Sequence, residues 1–430
     1  MLALPTPRLQ AAFVTATAAD HVATTAAVRG KPARDWRLLW TATGISTLGD
    51  GAFIAALPLL AATMTEDPRL VAGVTAWGSL PWLLAALPAG ALADRTDGQR
   101  LMHGAQWVQA GVVTLLAALT VVHAGHIAVL YAVAFALGVA ETAVKASAQT
   151  LIPVVVPIEG LEKANGRLGA TVFTAKEFLG PPLGSLLFAL ATPLPLWVDA
   201  ATFAASALLI ARISKRGRDR GPLRRRPIRA EITEGLRWLA RHRLLRVLTL
   251  LSAAANLCNA MVTATFVLFA TERLHTGEFG FGLLLGAMAV GGVLGSLLSR
   301  RAIDRFGGRA VVTTTILLTP LAQLAIGAVA RDAFTVGALA AVCSCCASLW
   351  NVATVSLRQR TVPAELIGRV SNTGLTVAWG AQPMGALLGG LIAGGFGLAA
   401  PWIVAGALRL STALLALPAL RRWPSRNRPP

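Results

Sequence analysis

Long uncharged runs recur along the chain with short polar breaks between them. Twelve such runs fall at about 36–63, 70–93, 101–123, 126–152, 165–191 and 194–213, then at 246–271, 279–301, 309–331, 333–357, 372–396 and 399–422. Each is near the roughly 20 residues that a helix needs to cross a bilayer. None alternates with period two, so the pattern predicts helices and not a barrel. The expected fold class is an all-α membrane protein with twelve transmembrane helices.

The pattern breaks between the sixth and seventh runs. Arg212 to Arg246 carries 13 Lys/Arg against Asp219, Glu231 and Glu234. An Arg at the bilayer centre costs roughly 2.5–3.5 kcal/mol, so this stretch is read as a water-facing connector. Five regions follow: a flexible cytoplasmic tail (1–35), a six-helix half (36–213), a basic linker (214–245), a second six-helix half (246–422) and a basic tail (423–430). In the linker, Ile228, Ile232, Leu236 and Leu239 recur at helical spacing. That describes an amphipathic helix, lying either on an anionic leaflet or against the bundle.

Composition agrees. The chain is 55% apolar and 14% charged, with mean hydropathy +0.63. Its net charge of +19 is explained by placement. One set of alternate connections, with both tails, collects 33 of the 39 Lys/Arg. The positive-inside rule puts that side, and both termini, in the cytoplasm, so nucleic acid is not needed to explain the charge. Arg far outnumbers Lys, which points to a GC-rich bacterial genome and hence to the plasma membrane. Cys258, Cys343, Cys345 and Cys346 all fall within apolar runs and read as packing residues, not as a metal site.

The halves echo each other at an offset of 210. Asp94-Arg95 recurs as Asp304-Arg305, and Gln149-x3-Pro153 as Gln359-x3-Pro363. Glu141 matches Asn351, and Asp50 matches Asn259 within one residue. Pro182-x-Gly184 resembles Pro383-x-Gly385, at an offset of 201. Parallel repeats of six helices are a transporter architecture with the substrate site between the halves.

The stretch Gly90-Ala-Leu-Ala-Asp94-Arg95-Thr-Asp-Gly98-Gln-Arg100, with its degenerate copy Asp304-Arg305-Phe-Gly307-Gly-Arg309, resembles the cytoplasmic loop signature of the major facilitator superfamily. One extra residue precedes Gly98. The resemblance covers about 36–422 and implies a loop that stabilises the outward-facing state. In it Asp94 would face the N-terminal end of the eleventh helix, with Arg95 and Arg100 in ion pairs. Ala164-Asn165-Gly166, Arg358-Gln359 and Gly368-Arg369-Val370 resemble the branch of enterobactin exporters and macrolide or multidrug efflux proteins. Gly180-Pro181-Pro182-Leu-Gly184 resembles the antiporter motif of drug:proton exchangers, though Ser185 and Lys176 depart from it. There the prolines bend the fifth helix or take part in coupling.

Ionisable groups within a span are functional hypotheses by default. Asp50 lies near mid-membrane between Gly49 and Gly51 and reads as a proton or substrate site, or as half of an ion pair. Glu141 and Lys145, at i,i+4, read as a static pair or as cavity lining. Glu177 adjoins the Gly-Pro bend and reads as a coupling candidate, with neighbouring Lys176 pointing elsewhere. Asp199 reads as interfacial, near the outer end of its span. Arg409 either pairs with an acid or snorkels. Asn256, Asn259, Asn351 and Gln382 offer neutral hydrogen bonds to a substrate or between helices.

No P-loop and no catalytic Ser/His/Asp or H-E-x-x-H pattern stands out, so ATP, an enzymatic reaction and a cofactor are not expected. The function expected is proton-coupled export of a hydrophobic or amphipathic small molecule such as a drug, macrolide-like metabolite or siderophore, by a monomer working through alternating access. The alternatives are an importer or facilitator of a polar solute and a non-transporting membrane scaffold.

Overall fold

The computed structural model describes residues 7–157, 160–214, 236–363 and 366–420, with side chains left aside at 7–32 and at a few positions near 86–94 and 367–372. Every regular element among them is helical. In chain order they are α1 (Pro7–Met64), α2 (Pro68–Leu84), α3 (Ala86–Arg95), α4 (Gly98–Val121), α5 (Ile127–Val155), α6 (Leu161–Val172), α7 (Gly180–Leu190) and α8 (Leu194–Ala211). They continue as α9 (Arg243–Thr263), α10 (Glu278–Phe306), α11 (Gly308–Ala328), α12 (Ala333–Thr361), α13 (Ile367–Trp379), α14 (Gln382–Phe396) and α15 (Ala400–Leu420). Two π-helical segments interrupt the order, at Phe173–Leu179 and Phe269–Arg273. The first helix reaches back to Pro7, through most of the stretch read as a tail.

Ten helices among the described residues are long and apolar enough to cross a membrane. The two runs missing from that set, 70–93 and 165–191, have identifiable reasons. The first carries Pro81, which removes a helix hydrogen bond, and breaks at Ala85 between α2 and α3. The second is divided by the π segment that carries Lys176 and Glu177.

Small residues set the helix contacts. A side chain on Gly180 or Gly184 would fall on the backbone of Gly51 or Ala52, so α7 lies directly on α1. Gly385 and Gly389 hold α14 against the backbone of Leu257 and Met261 on α9 in the same manner. The Pro182/Gly184 and Pro383/Gly385 echo thus corresponds to equivalent packing in the two parts of the chain.

Elements before and after the linker also meet directly. Gly282 and Gly286 on α10 face Ser185 and Pro182 on α7, and Gly390 on α14 faces Ala72 and Pro68 on α2. Ala72, Ala76, Ala260, Ala264 and Ala386 form a small buried cluster there. These approaches lie toward the 65–67 turn.

At the opposite end, Asp97 caps α4 by accepting the Gln99 backbone N–H at 2.9 Å. The Gln99 side chain donates to the carbonyls of Ile210 and Ile213, both at 2.9 Å, closing the end of α8. Gly307 turns between α10 and α11 at φ +80°, a region that favours glycine. Ile228 and Ile232 of the linker lie outside the described residues. Leu239 is buried with Leu244, Leu245 and Val312, so the end of the linker packs on the bundle.

Gly184→Leu should force α7 off α1. Overpacking of this kind costs about 1–3 kcal/mol. A thermal melt of the purified protein should show a clear loss for Gly184→Leu and little change for Gly111→Ala, where nothing lies within 4 Å.

Candidate functional site

A cavity of about 260 Å³ lies among α1, α2, α4, α5, the first π segment and α8. Its wall is mostly apolar, with Phe53, Leu57, Val74, Leu137 and Phe203, yet it carries Asp50, Glu141, Lys176, Asp199 and Gln109. Drug-sized ligand pockets run to roughly 300–1,000 Å³. This space suits a proton, water or a small part of a ligand better than a whole macrolide-like molecule.

Glu141 is the hub. Its Oε1 accepts Lys176 Nζ at 2.8 Å and Lys145 Nζ at 3.1 Å. The Glu141–Lys145 pair expected from i,i+4 spacing is present, but it is only half of a bridge. The expectation that Lys176 points elsewhere fails. A π segment holds an extra residue per turn, which displaces side chains from the 3.6-residue pattern. Within Phe173–Leu179 the Lys176 side chain is 17% exposed and meets α5, while Glu177 is exposed and does not line the cavity.

Asp199 is the second correction. It lies little more than a turn into α8, yet is fully buried at the cavity wall. Gly49 explains this. A side chain there would meet Asp199 and Thr202, so the glycine beside Asp50 is what admits α8. The Asp199 Oδ2 has no hydrogen-bond partner among the described residues. Asp50 is partly buried on the facing wall. Three acids (Asp50, Glu141, Asp199) therefore accompany two bases (Lys145, Lys176). With all ionised, the cluster would hold one uncompensated negative charge, and desolvation works against such a charge.

Lys145 reaches beyond the cavity. Its Nζ lies 4.1 Å from the Trp82 ring centroid and 5.7 Å from that of Trp379. The two indoles, from α2 and α13, are 5.1 Å apart. A cation–π contact of this kind thus joins the charge cluster to an aromatic pair that bridges the two sides of the linker.

The remaining candidates lie elsewhere. Asn259 and Asn351 are exposed and do not line this cavity. Gln382 donates to Asn256 at 3.1 Å, tying α14 to α9. In the loop signature, Arg100 pairs with Asp97 at 3.9 Å in an exposed setting, and Gly98 is approached closely by Thr150. Arg95 is exposed, whereas the Asp94 side chain lies outside the described residues. Asp304 pairs with Arg300 at 3.8 Å, Arg305 lies over the Phe306 ring, and Arg309 is exposed.

Residues 31–429 match the transmembrane secretion effector family. The chain belongs to that family. It is accordingly a transporter of the major facilitator superfamily and not an enzyme. It is similar to the multidrug efflux pump Tap of Mycolicibacterium fortuitum, 29% identical across 89% of this chain and 95% of that one. It is also similar to macrolide efflux protein A of Streptococcus pyogenes, 21% identical across 89% and 96%. Among solved structures, a bacterial homologue of the iron transporter ferroportin in its inward-facing state gives a TM-score of 0.70 at 17% identity, over 91% of this chain and 99% of that one. The nucleoside transporter NupG gives 0.69 at 13% identity, over 91% and 100%. At such identities the likeness shows the fold alone.

Glu141→Gln should leave two lysines facing each other without a carboxylate. Losing one partner of a buried pair costs about 3–5 kcal/mol, and the 24% exposure of Glu141 lowers the expected loss to about 2–4 kcal/mol. Denaturation of the detergent-solubilised protein should show that loss, with partial recovery in Glu141→Gln/Lys176→Met. Equal stability of wild type and Glu141→Gln would contradict the bridge.

Proposed function

We propose that this transporter exports a hydrophobic or amphipathic small molecule, of the drug or macrolide-like class, in exchange for protons. The observation that carries the reading is the surplus acid in the cavity. Asp50 and Asp199 share a mostly apolar wall, and the two lysines can neutralise only two of the three carboxylates. A proton on Asp50 or Asp199 would satisfy the third. The relatives named as multidrug and macrolide efflux proteins support the direction and class of cargo.

The architecture proposed is two six-helix halves, 36–213 and 246–422, joined by the basic linker. The broken rods α2–α3 and α6–α7 complete the twelve spans. Both termini would lie in the cytoplasm and the protein would reside in a bacterial plasma membrane as a monomer, as the charge asymmetry supports. On this orientation the close approaches of α7 to α10 and α2 to α14 lie at the outer end. Those approaches would close the outer side. Rocking the halves would separate those contacts. The Asp94 and Asp304 loops would latch the cytoplasmic side after the switch.

The coupling assignment has a direct test. In proteoliposomes that accumulate a fluorescent drug against an imposed pH gradient, wild type should respond to the gradient. Asp50→Asn should lose that response by about tenfold or more, and Asp199→Asn should behave alike. Glu177→Gln should retain most of it. Full gradient-driven transport by both Asp variants would refute the proton site.

A further inference from the structure

Arg409 stands at the middle of α15, the tenth of its 21 residues. At 1.5 Å per residue it is about 15 Å from either end of the helix. A side chain of this length cannot snorkel that far, so one of the two readings open from sequence is removed. The other, pairing with an acid, lacks a partner. Among the described residues no ion pair joins its guanidinium, and its electrostatic neighbours are the thiols of Cys258, Cys343 and Cys346. Those thiols sit on α9 and α12. Cys258 and Cys346 are buried, and Cys343 lies against the Thr319 carbonyl of α11 at 3.8 Å. Arg409 is partly buried, with these thiols as its electrostatic neighbours.

The internal repeat explains the position. Adding 210 to Asp199 gives Arg409, adding 210 to Gln109 gives Thr319, and adding 210 to Glu141 gives Asn351. Asp50 has its counterpart one residue off, at Asn259. In this register the chain after the linker has no carboxylate at the positions of Asp50, Glu141 and Asp199, and it has a cation at the last of them, about one helix turn deeper in α15 than Asp199 is in α8. An unpaired cation in a bundle core is costly and marks a pathway or a ligand.

We propose that Arg409 is the anchor of an anion site in the second half, repeat-related to the proton cavity of the first. It would take a monovalent anion, either a carboxylate on the cargo or a free halide. The cargo branch rests on the export reading above; the site itself does not.

The test uses Cys343 as a reporter, in full-length protein in nanodiscs with Cys258, Cys345 and Cys346 replaced by Ser. Its modification is timed with a negatively charged sulfonatoethyl methanethiosulfonate and a positively charged trimethylammonium one, each relative to its rate with free cysteine. A guanidinium within about 8 Å should favour the anionic reagent about tenfold or more. Arg409→Gln should bring the ratio near one, and Arg409→Lys should keep it. Millimolar benzoate or chloride should slow labelling in the Arg409 protein only. Protection by benzoate assigns the site to a cargo carboxylate, and protection by chloride alone to an inorganic counter-ion. A ratio that survives Arg409→Gln, labelling that neither anion slows, or a Cys343 that neither reagent reaches would overturn the proposal. Drug tolerance of an efflux-deficient host expressing the wild type is scored separately. Its absence would fail the export reading and leave these rates untouched.

Discussion

One carboxylate shared by two lysines organises the helices before the linker. Glu141 on α5 holds Lys176 from the π segment Phe173–Leu179 and Lys145 from its own helix. Without Glu141, Lys176 would be a costly ion inside a bundle. With it, the two lysines become a fixed positive frame around which Asp50 and Asp199 are arranged. The same hub reaches the indole pair, because Lys145 leans on Trp82 while paired to Glu141. A change of charge in the cavity can therefore alter a contact between α2 and α13.

Backbone approach makes the hub possible. Gly49 admits Asp199, Gly51 admits the π segment, and Gly180 and Gly184 dock α7 on α1. The sequence Gly49-Asp50-Gly51 is thus one acid between two clearances, each opened toward a different helix. After the linker, Gly385 and Gly389 dock α14 on α9 in the same manner, and Gly291 and Gly295 bring α10 against α12.

Much of this was legible in the residues. The apolar runs, the charged linker, the repeat and the mid-span Asp50 all follow from composition and spacing. So does the Glu141–Lys145 pair, because i,i+4 spacing holds in any regular helix. The failures have physical causes. Lys176 reaches Glu141, against the expectation that it points elsewhere, because a π segment rotates side chains away from the 3.6-residue pattern. Asp199 lies near the end of its run, which reads as interfacial, yet it is fully buried. The signal that could have corrected it was Gly49, a clearance with no partner yet assigned. Arg409 stayed open because pairing with an acid is a property of tertiary contact. The repeat offset linking it to Asp199 was nonetheless available in the sequence.

On the reading above, the cavity holds one exchangeable proton that cargo displaces. The measurement that tests it most directly is proton release on drug binding, in weakly buffered detergent solution near neutral pH. About one proton per protein should be released at saturation, and little or none from Asp50→Asn that still binds the drug. Saturable binding with no proton release from the wild type would contradict it.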